Sequence, residues 1–565
     1  MKRKLYLFFL LIVRSLSAQN PIPIPDTLTG TTFQLTLHPD SVAFLPGVKT
    51  FTNAFNNNSY LGPTLLLNKG DFVTLNVENI LSDTSTVHWH GLHVPAMADG
   101  GPHTVILPNT TWQAQFEVKN NASTYWYHPH MHMRTGEQAM RGAAGMIIIR
   151  DTTEARLNIP RRYGVDDFPL IIQTQQFDSS NQILWRGMND SIILVNGTQN
   201  PQVTLPDQVV RLRLLNAEQS RTFNFGFTGN IPFSIIASDG GLLEAPLTAT
   251  RLRLSPGERA EVLLNLRPYP GQTFYLMSYG SELPMGVQGG PMLAGMDSAM
   301  FGPLDGIDFN ILQIDVGAPT VSPIVTIPAS LVTINRLQEN QSEEMRWITI
   351  TPLNSTAFMG PFYFNGLSFD MMRVDYTIPL GHTEIWNISN QSMVSHPFHM
   401  HDVQFFILDR DGVPPPAEEM GFKDDFLLFP NETVRIIMKF EDYADPMIPY
   451  MYHCHILMHE DDGMMGQFIV SNGAGQEEIA GNFNSLIGVN PVQCGILSLH
   501  GINNTCAEKC LFRIYNSLGE NVFSSTEFNL HYNQTLNISF LPPGMYFVEA
   551  ENSAIHQCEK FLKLN

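Results

Sequence analysis

Apolar and polar residues alternate along this chain in short runs that recur. PNTTWQAQF begins at Pro108, PGERAEVLL at Pro256 and PNETVRIIM at Pro430. Each is a proline-led turn followed by alternating apolar positions; in the third, Val434, Ile436, Met438 and Phe440 share one face. A period of two predicts strands, not helices. A tyrosine-rich segment follows each copy: STYWYHPHMH, QTFYLMSYG and IPYMYHCHILMH. A second pattern precedes each: FVTLNVEN ending at Asn79, VVRLRLLN at Asn216 and TEIWNISN at Asn390. One β-rich unit of roughly 150 residues is therefore expected three times. Short strands between Gly, Pro and Asn turns predict β-sandwiches. Helix is expected to be minor, with one short candidate at residues 134–144.

Both ends differ from this repeat. Lys2, Arg3 and Lys4 precede an apolar run from Leu5 to Val13 and small residues up to Ala18. That order predicts a signal peptide over residues 1–18, and the run is too short to span a bilayer. From about residue 480 the tail has its own strand-and-turn pattern in LFRIYNSLGENV, LPPGMYFVEAEN and EKFLKLN. Four of the five cysteines lie there: Cys494, Cys506, Cys510 and Cys558. An even set in an exported tail predicts two disulfides, with three pairings open. At 565 residues the chain is too long for one core. Its formal net charge of -21 argues against nucleic acid as a partner, because phosphate contacts need basic patches.

The fifth cysteine, Cys454, stands between histidines, and most of the 18 histidines cluster. HWHGLH holds His88, His90 and His93; HPHMH holds His128, His130 and His132; HPFHMH holds His396, His399 and His401; HCHILMH holds His453, His455 and His459. In a strand, residues i and i+2 face one way. The pairs 88/90, 128/130, 399/401 and 453/455 thus offer eight imidazoles, twice what one tetrahedral zinc takes. They suit a cluster of several metal ions. The middle repeat has YLMSYG where its sisters have YHPH and YHCH, so the chemistry is assigned to the first and third units, with the second as a spacer. Cys454 points away from His453 and His455 and must serve another ion. With His459, His396 and a weak axial Met464 it forms the thiolate, two-imidazole and thioether set of a blue-copper site. His93, His103 and His132 are not needed and are expected at the surface or behind the ligands.

Taken together, HWHG, HPH, HPxHxH and HCHxxxHxxxxM resemble the four copper motifs of the multicopper oxidases, over about residues 30–472. FNGLSFDM and IASDGGLL also resemble segments of the bacterial three-domain laccases and copper efflux oxidases. The resemblance implies an all-β chain of three cupredoxin-like Greek-key sandwiches plus a small C-terminal β-sandwich, with domains at 19–155, 156–325, 326–475 and 485–565. It implies four coppers: a type 1 ion at His396, Cys454, His459 and Met464; a type 2 ion at His88 and His399; and a type 3 pair on His90, His128 and His455 and on His130, His401 and His453. It further implies that Asp99 and Glu460 deliver protons as O2 is reduced to water. The electron donor is then a phenol or similar organic molecule, or Cu(I), Fe(II) or Mn(II). A non-catalytic exported copper-binding protein is the alternative. The long Met-rich insertion of copper efflux oxidases is absent. Met285, Met292, Met296 and Met300 serve either as core fillers or as soft-metal contacts. The tail resembles the sorting domain of proteins exported by the type IX secretion system. A monomer at the cell surface or outside the cell is expected, with the periplasm as the alternative.

Overall fold

The strand patterns pair with one another in each repeat. Phe72–Asn79 runs antiparallel to Thr110–Glu117, Val209–Asn216 to Arg259–Asn265, and Thr383–Asn390 to Thr433–Lys439. The computed structural model describes residues 19–293, 301–353 and 360–472, and in the tail 496–499, 510–516, 520–528, 534–551 and 556–563. The signal-peptide segment lies outside these residues, as do Met296, Met300, Cys494 and Cys506; the side chains of Cys510 and Cys558 are not described either, so the expected disulfides fall outside the described residues. The chain divides into two compact units, residues 1–473 and 474–565.

The first unit holds three sandwiches, each of two sheets around its own core. One packs Phe33, Leu75, Trp89 and Tyr127 between a four- and a five-stranded sheet. The next packs Leu212, Phe225, Val262 and Ile314 between a six- and a seven-stranded sheet. The last packs Trp386, Phe398, Ile436 and Phe468 between two five-stranded sheets. The tail unit has a four-stranded and a two-stranded sheet around Leu497, Phe512, Ile514 and Phe561. The fold is all-β, with cupredoxin-like sandwiches. The candidate helix at 134–144 is present as Thr135–Met140. Two further short helices, Ala96–Asp99 and Leu457–Asp461, were not expected from the sequence.

The asparagine that ends the upstream pattern makes the same cap each time. Asn79 Nδ2 donates to the carbonyls of Asp83 and Ile106, Asn216 Nδ2 to those of Arg221 and Leu254, and Asn390 Nδ2 to those of Val394 and Phe429. The three Oδ1 atoms accept from Leu81, Glu218 and Ser392 N–H. Each buried amide thus satisfies three backbone groups where a strand leaves its sheet. In the last sandwich this cap fixes the turn that enters the strand His396–Met400.

Candidate metal centres

His88–His90 is a three-residue strand paired with Ser123–His128, which sets His88 opposite His128. In the last sandwich His396–Met400 lies between Asp425–Leu428 and Asp445–Cys454, so that Asp425, His399 and His453 form one cross-strand row. Residues in such a row share a face. The facing rows bring all eight imidazoles together, fully or almost fully buried. His88 stacks on His401 at 3.7 Å between ring centres and His90 on His399 at 3.8 Å. The Nε2 atoms of His130 and His453 lie 3.1 Å apart, and His90 Nδ1 lies 3.4 Å from His128 Nε2. Three sets of donor atoms come within 4.8 Å of one another: His88/His399/His401, His90/His128/His455 and His130/His401/His453.

Outer oxygens fix which nitrogen each ring turns inward. Nδ1 of His88, His399, His128 and His453 donates to the carbonyls of Asp99, Asp424, Pro129 and Cys454, at 2.9, 2.8, 2.8 and 3.1 Å. His401 Nδ1 lies 2.8 Å from Asp99 Oδ2, His130 Nδ1 3.4 Å from Glu460 Oε1, and His90 Nε2 3.3 Å from Asp424 Oδ1. Inside, Nε2 of His88, His399 and His401 has no hydrogen-bond partner among the described residues. Burial, reinforced by the neighbouring imidazoles, holds His90, His128, His130, His399, His453 and His455 well below the usual histidine range. Burial also lowers His401 to about 4, against the pull of Asp99. Buried ring nitrogens left without a partner cost about 1–3 kcal/mol each unless something fills the space. A nitrogen-only set of this kind fits transition-metal ions such as copper.

The second centre lies behind the same strand. Cys454 Sγ is 3.6 Å from both His396 Nδ1 and His459 Nδ1, and all three side chains are buried. Phe362 sets its ring against both imidazoles, at 4.6 and 4.8 Å between centres. Ser392 Oγ lies 3.0 Å from His396 Nε2. Met464 is fully buried in the same apolar cluster as Cys454, and its N–H donates to the His459 carbonyl at 2.8 Å. Burial pushes the Cys454 thiol well up and lowers His459 to about 4. A soft cation is therefore what would draw the proton off this sulfur.

Two carboxyl groups flank the eight-histidine cluster, each on a short unexpected helix. Burial opposes ionisation of Asp99, but His401 and His88 outweigh it and hold the carboxyl below the usual range. Glu460 reaches His130 and His453, and burial beside Asp461 pushes it well up. Asp99 thus stands beside His88 and His401, and Glu460 beside His130 and His453.

The middle sandwich gives no histidine, yet it is more than a spacer. Arg259, from PGERAEVLL, is fully buried and donates to Asp424 at 2.6 and 2.7 Å. Asp424 in turn holds His399 and His90. Asp425 beside it is fully buried, and burial pushes its carboxyl well up. Sequence reading missed Arg259, Asp424 and Asp425; the available signal was an acidic pair set directly before the apolar run FLLF. Of the three spare histidines, His93 bridges Asp402 and Asp442, His103 Nε2 lies 2.7 Å from Gln467 Oε1, and His132 packs on Phe369.

Comparison with known proteins agrees with this geometry. Family models described as multicopper oxidase match residues 168–294, 39–154 and 327–474, and one described as a secretion system C-terminal sorting domain matches 490–563. The multicopper oxidase mco of Staphylococcus haemolyticus is 33% identical over 432 residues, 75% of this chain and 85% of that protein. The cell division protein FtsP of Escherichia coli is 30% identical over 463 residues, 80% of this chain and 93% of that protein. A solved bacterial laccase-like multi-copper oxidase, CueO from Ochrobactrum sp., superposes with a TM-score of 0.70 at 32% identity, covering 80% of this chain and all of that one. The chain belongs to the multicopper oxidase family and ends in a secretion-system sorting domain.

Proposed function

We propose that this protein is an exported oxidase that holds four copper ions and couples four one-electron oxidations to the reduction of O2 to water. The observation that carries this is the full set of buried donors: three imidazole triads and one thiolate triad, with no position substituted. In this reading His396, Cys454, His459 and Met464 hold the type 1 ion, and His88 and His399 the type 2 ion. His90, His128 and His455 hold one type 3 ion, and His130, His401 and His453 the other. Copper bound there would accept electrons singly and deliver them to O2.

The chain's own residues do the rest. Cys454 is joined through one peptide bond each to His453 and His455, so the two centres share a short covalent path. The strand buries that path and keeps water off the thiolate. Glu460, whose carboxyl burial pushes well up, lies against the outer Nδ1 of His130 and of His453 and serves as the acid. Asp99 stays ionised between His88 and His401 and holds their orientation.

The donor is a phenol or similar organic reductant, or a metal ion. The likeness to a laccase-like enzyme favours the first. Exposed Met285, Met292 and Met393 favour a soft ion such as Cu(I). The backbone of Gly286, next to Met285, packs on the carbonyl of Met393, three residues before His396. The match to a sorting domain supports placement at the cell surface or outside the cell, with the periplasm as the other location. A second reading, a copper-binding protein without turnover, is favoured by the FtsP likeness, since that relative is named for cell division.

O2 uptake by the copper-loaded chain, with Cu(I) and with 2,6-dimethoxyphenol in parallel, tests both. Fast uptake with one donor identifies the class. No uptake with either, at full copper occupancy, overturns the oxidase reading. Cys454→Ser should abolish the blue colour and turnover while about three coppers per chain remain on the eight histidines; turnover in that variant would refute the covalent path.

A further inference from the structure

The asparagine cap that recurs in the three sandwiches puts the residue two positions on at the same point of each turn. That residue is Leu81, Glu218 and Ser392 in chain order, and each gives its N–H to the asparagine Oδ1. Of the three, Ser392 alone carries a hydroxyl, and its turn leads into His396 of the thiolate centre.

Ser392 is buried, and its one hydroxyl proton is already committed: Oγ donates to the Val394 carbonyl at 2.9 Å. The same carbonyl accepts Asn390 Nδ2 at 2.8 Å, so cap and hydroxyl are tied to one acceptor. Oγ is left with its lone pairs. The Val394 N–H lies 3.4 Å from it and His396 Nε2 lies 3.0 Å from it. An oxygen with no proton left to give pairs only with a nitrogen that has one. Nε2 of His396 therefore carries the ring proton. Nδ1, 3.6 Å from Cys454 Sγ, keeps the free lone pair that a metal needs. The residue between, Ser395, is tied to the middle sandwich by bonds of its own. Its Oγ donates to Gln288 Oε1 at 2.6 Å and its N–H to the Gly286 carbonyl at 2.7 Å.

We propose that Ser392 is the positioning residue of the thiolate centre: its hydroxyl accepts the outer N–H of His396, selects Nδ1 as the copper-facing nitrogen and raises the basicity of that ring. This rests on the four-copper reading above. An acceptor on the outer N–H pushes electron density onto the inner nitrogen, which favours Cu(II) over Cu(I). Loss of such a partner typically changes metal affinity 10–100-fold. The effect falls on the Cys454 site, because His399, three residues along the same strand, turns to the opposite face.

The test compares the full chain with Ser392→Ala, Ser392→Thr and Ser395→Ala, each loaded with copper. The blue absorption is titrated without O2 against a one-electron mediator of known potential. Copper loss to a chelator and the melting temperature of the apoprotein are then recorded. Ser392→Ala should shift the equilibrium toward the reduced site, lose blue copper 10–100-fold faster and keep its cluster copper. Ser392→Thr, whose hydroxyl still accepts, should stay close to the unaltered chain. Ser395→Ala loosens the turn and leaves the ring its acceptor, so it should keep the equilibrium whatever its melting temperature. An unaltered equilibrium in Ser392→Ala overturns the proposal. So does a shift in Ser395→Ala as large as that in Ser392→Ala, which would assign the effect to the turn, or a loaded Thr variant displaced as far as Ala. If the added methyl of Thr blocks loading, the contrast between the two Ala variants decides. An unaltered chain that takes up copper without blue absorption would instead refute the reading of the thiolate centre itself.

Discussion

Replacing Arg259 by Met should damage a centre to which the middle sandwich contributes no ligand. The guanidinium is fully buried and donates to Asp424 through two nitrogens, and also to the carbonyls of Thr124, Gly257 and Asp239 at 3.1, 3.2 and 3.1 Å. Burial disfavours its charge, but Asp424 and Asp239 more than restore it. Methionine fills the volume and leaves Asp424 buried without its cation. Breaking a buried pair from one side costs about 3–5 kcal/mol. At roughly 2–4 °C per kcal/mol for a domain of this size, that lowers the melting temperature by on the order of 10 °C. Removing both charges, as Arg259→Met with Asp424→Leu, should recover much of this loss. It should not recover copper, because the Asp424 carboxylate faces His90 Nε2 at 3.3 Å. Thermal melts of the four apoproteins in the double-mutant cycle, with copper per chain after loading, separate the two effects. A single variant that melts within about 2 °C of the unaltered chain, or a double variant whose loss is the sum of the singles, would refute the reasoning.

Glu460→Gln should slow O2 consumption by roughly 10²–10⁴-fold, the usual contribution of a positioned acid, while anaerobic bleaching of the blue band by donor stays fast; an unchanged O2 rate would remove Glu460 from proton delivery. His93 is raised from 6.5 to about 9: burial opposes its charge, but Asp402 and Asp442 outweigh that. A histidine raised on folding stabilises below its unfolded value and loses that contribution as the pH climbs through about 9. His93→Gln should therefore cost on the order of 1–2 kcal/mol at pH 6 and almost nothing at pH 10, measured by urea melts; a cost that is flat with pH would refute the ion pairing. Deleting residues 485–565 should leave oxidase activity in the cell and remove it from the surface and medium, read by activity in each fraction; unchanged export would refute the sorting role.

What the sequence made legible follows the range over which each signal acts. The H-x-H pairs could be read because a strand turns i and i+2 to one face, and this local rule also sent Cys454 to the opposite side. The repeats could be read as strands, but the caps made by Asn79, Asn216 and Asn390 could not, since each joins backbone groups up to 39 residues away. Arg259 and Asp424 are 165 residues apart, and nothing local in either segment names the other. Asp99 and Glu460 were reached only through the family resemblance. The helices that carry them, four and five residues long, are too short to show a helical period.

The contact between His130 and His453 spans 323 residues of chain, against 38 between His90 and His128. By the logarithmic dependence of loop closure, the longer one costs about 5 kcal/mol of chain entropy and the shorter about 3. Half of the cluster's imidazoles, from His399 onward, are made last by the ribosome, and the last of them is residue 455. A nascent or truncated chain can therefore fold its first sandwich completely and still hold no centre able to engage O2. In the proposed reading, the centre that engages O2 becomes complete only once the chain has been made through residue 455, so the first sandwich alone carries no oxygen chemistry.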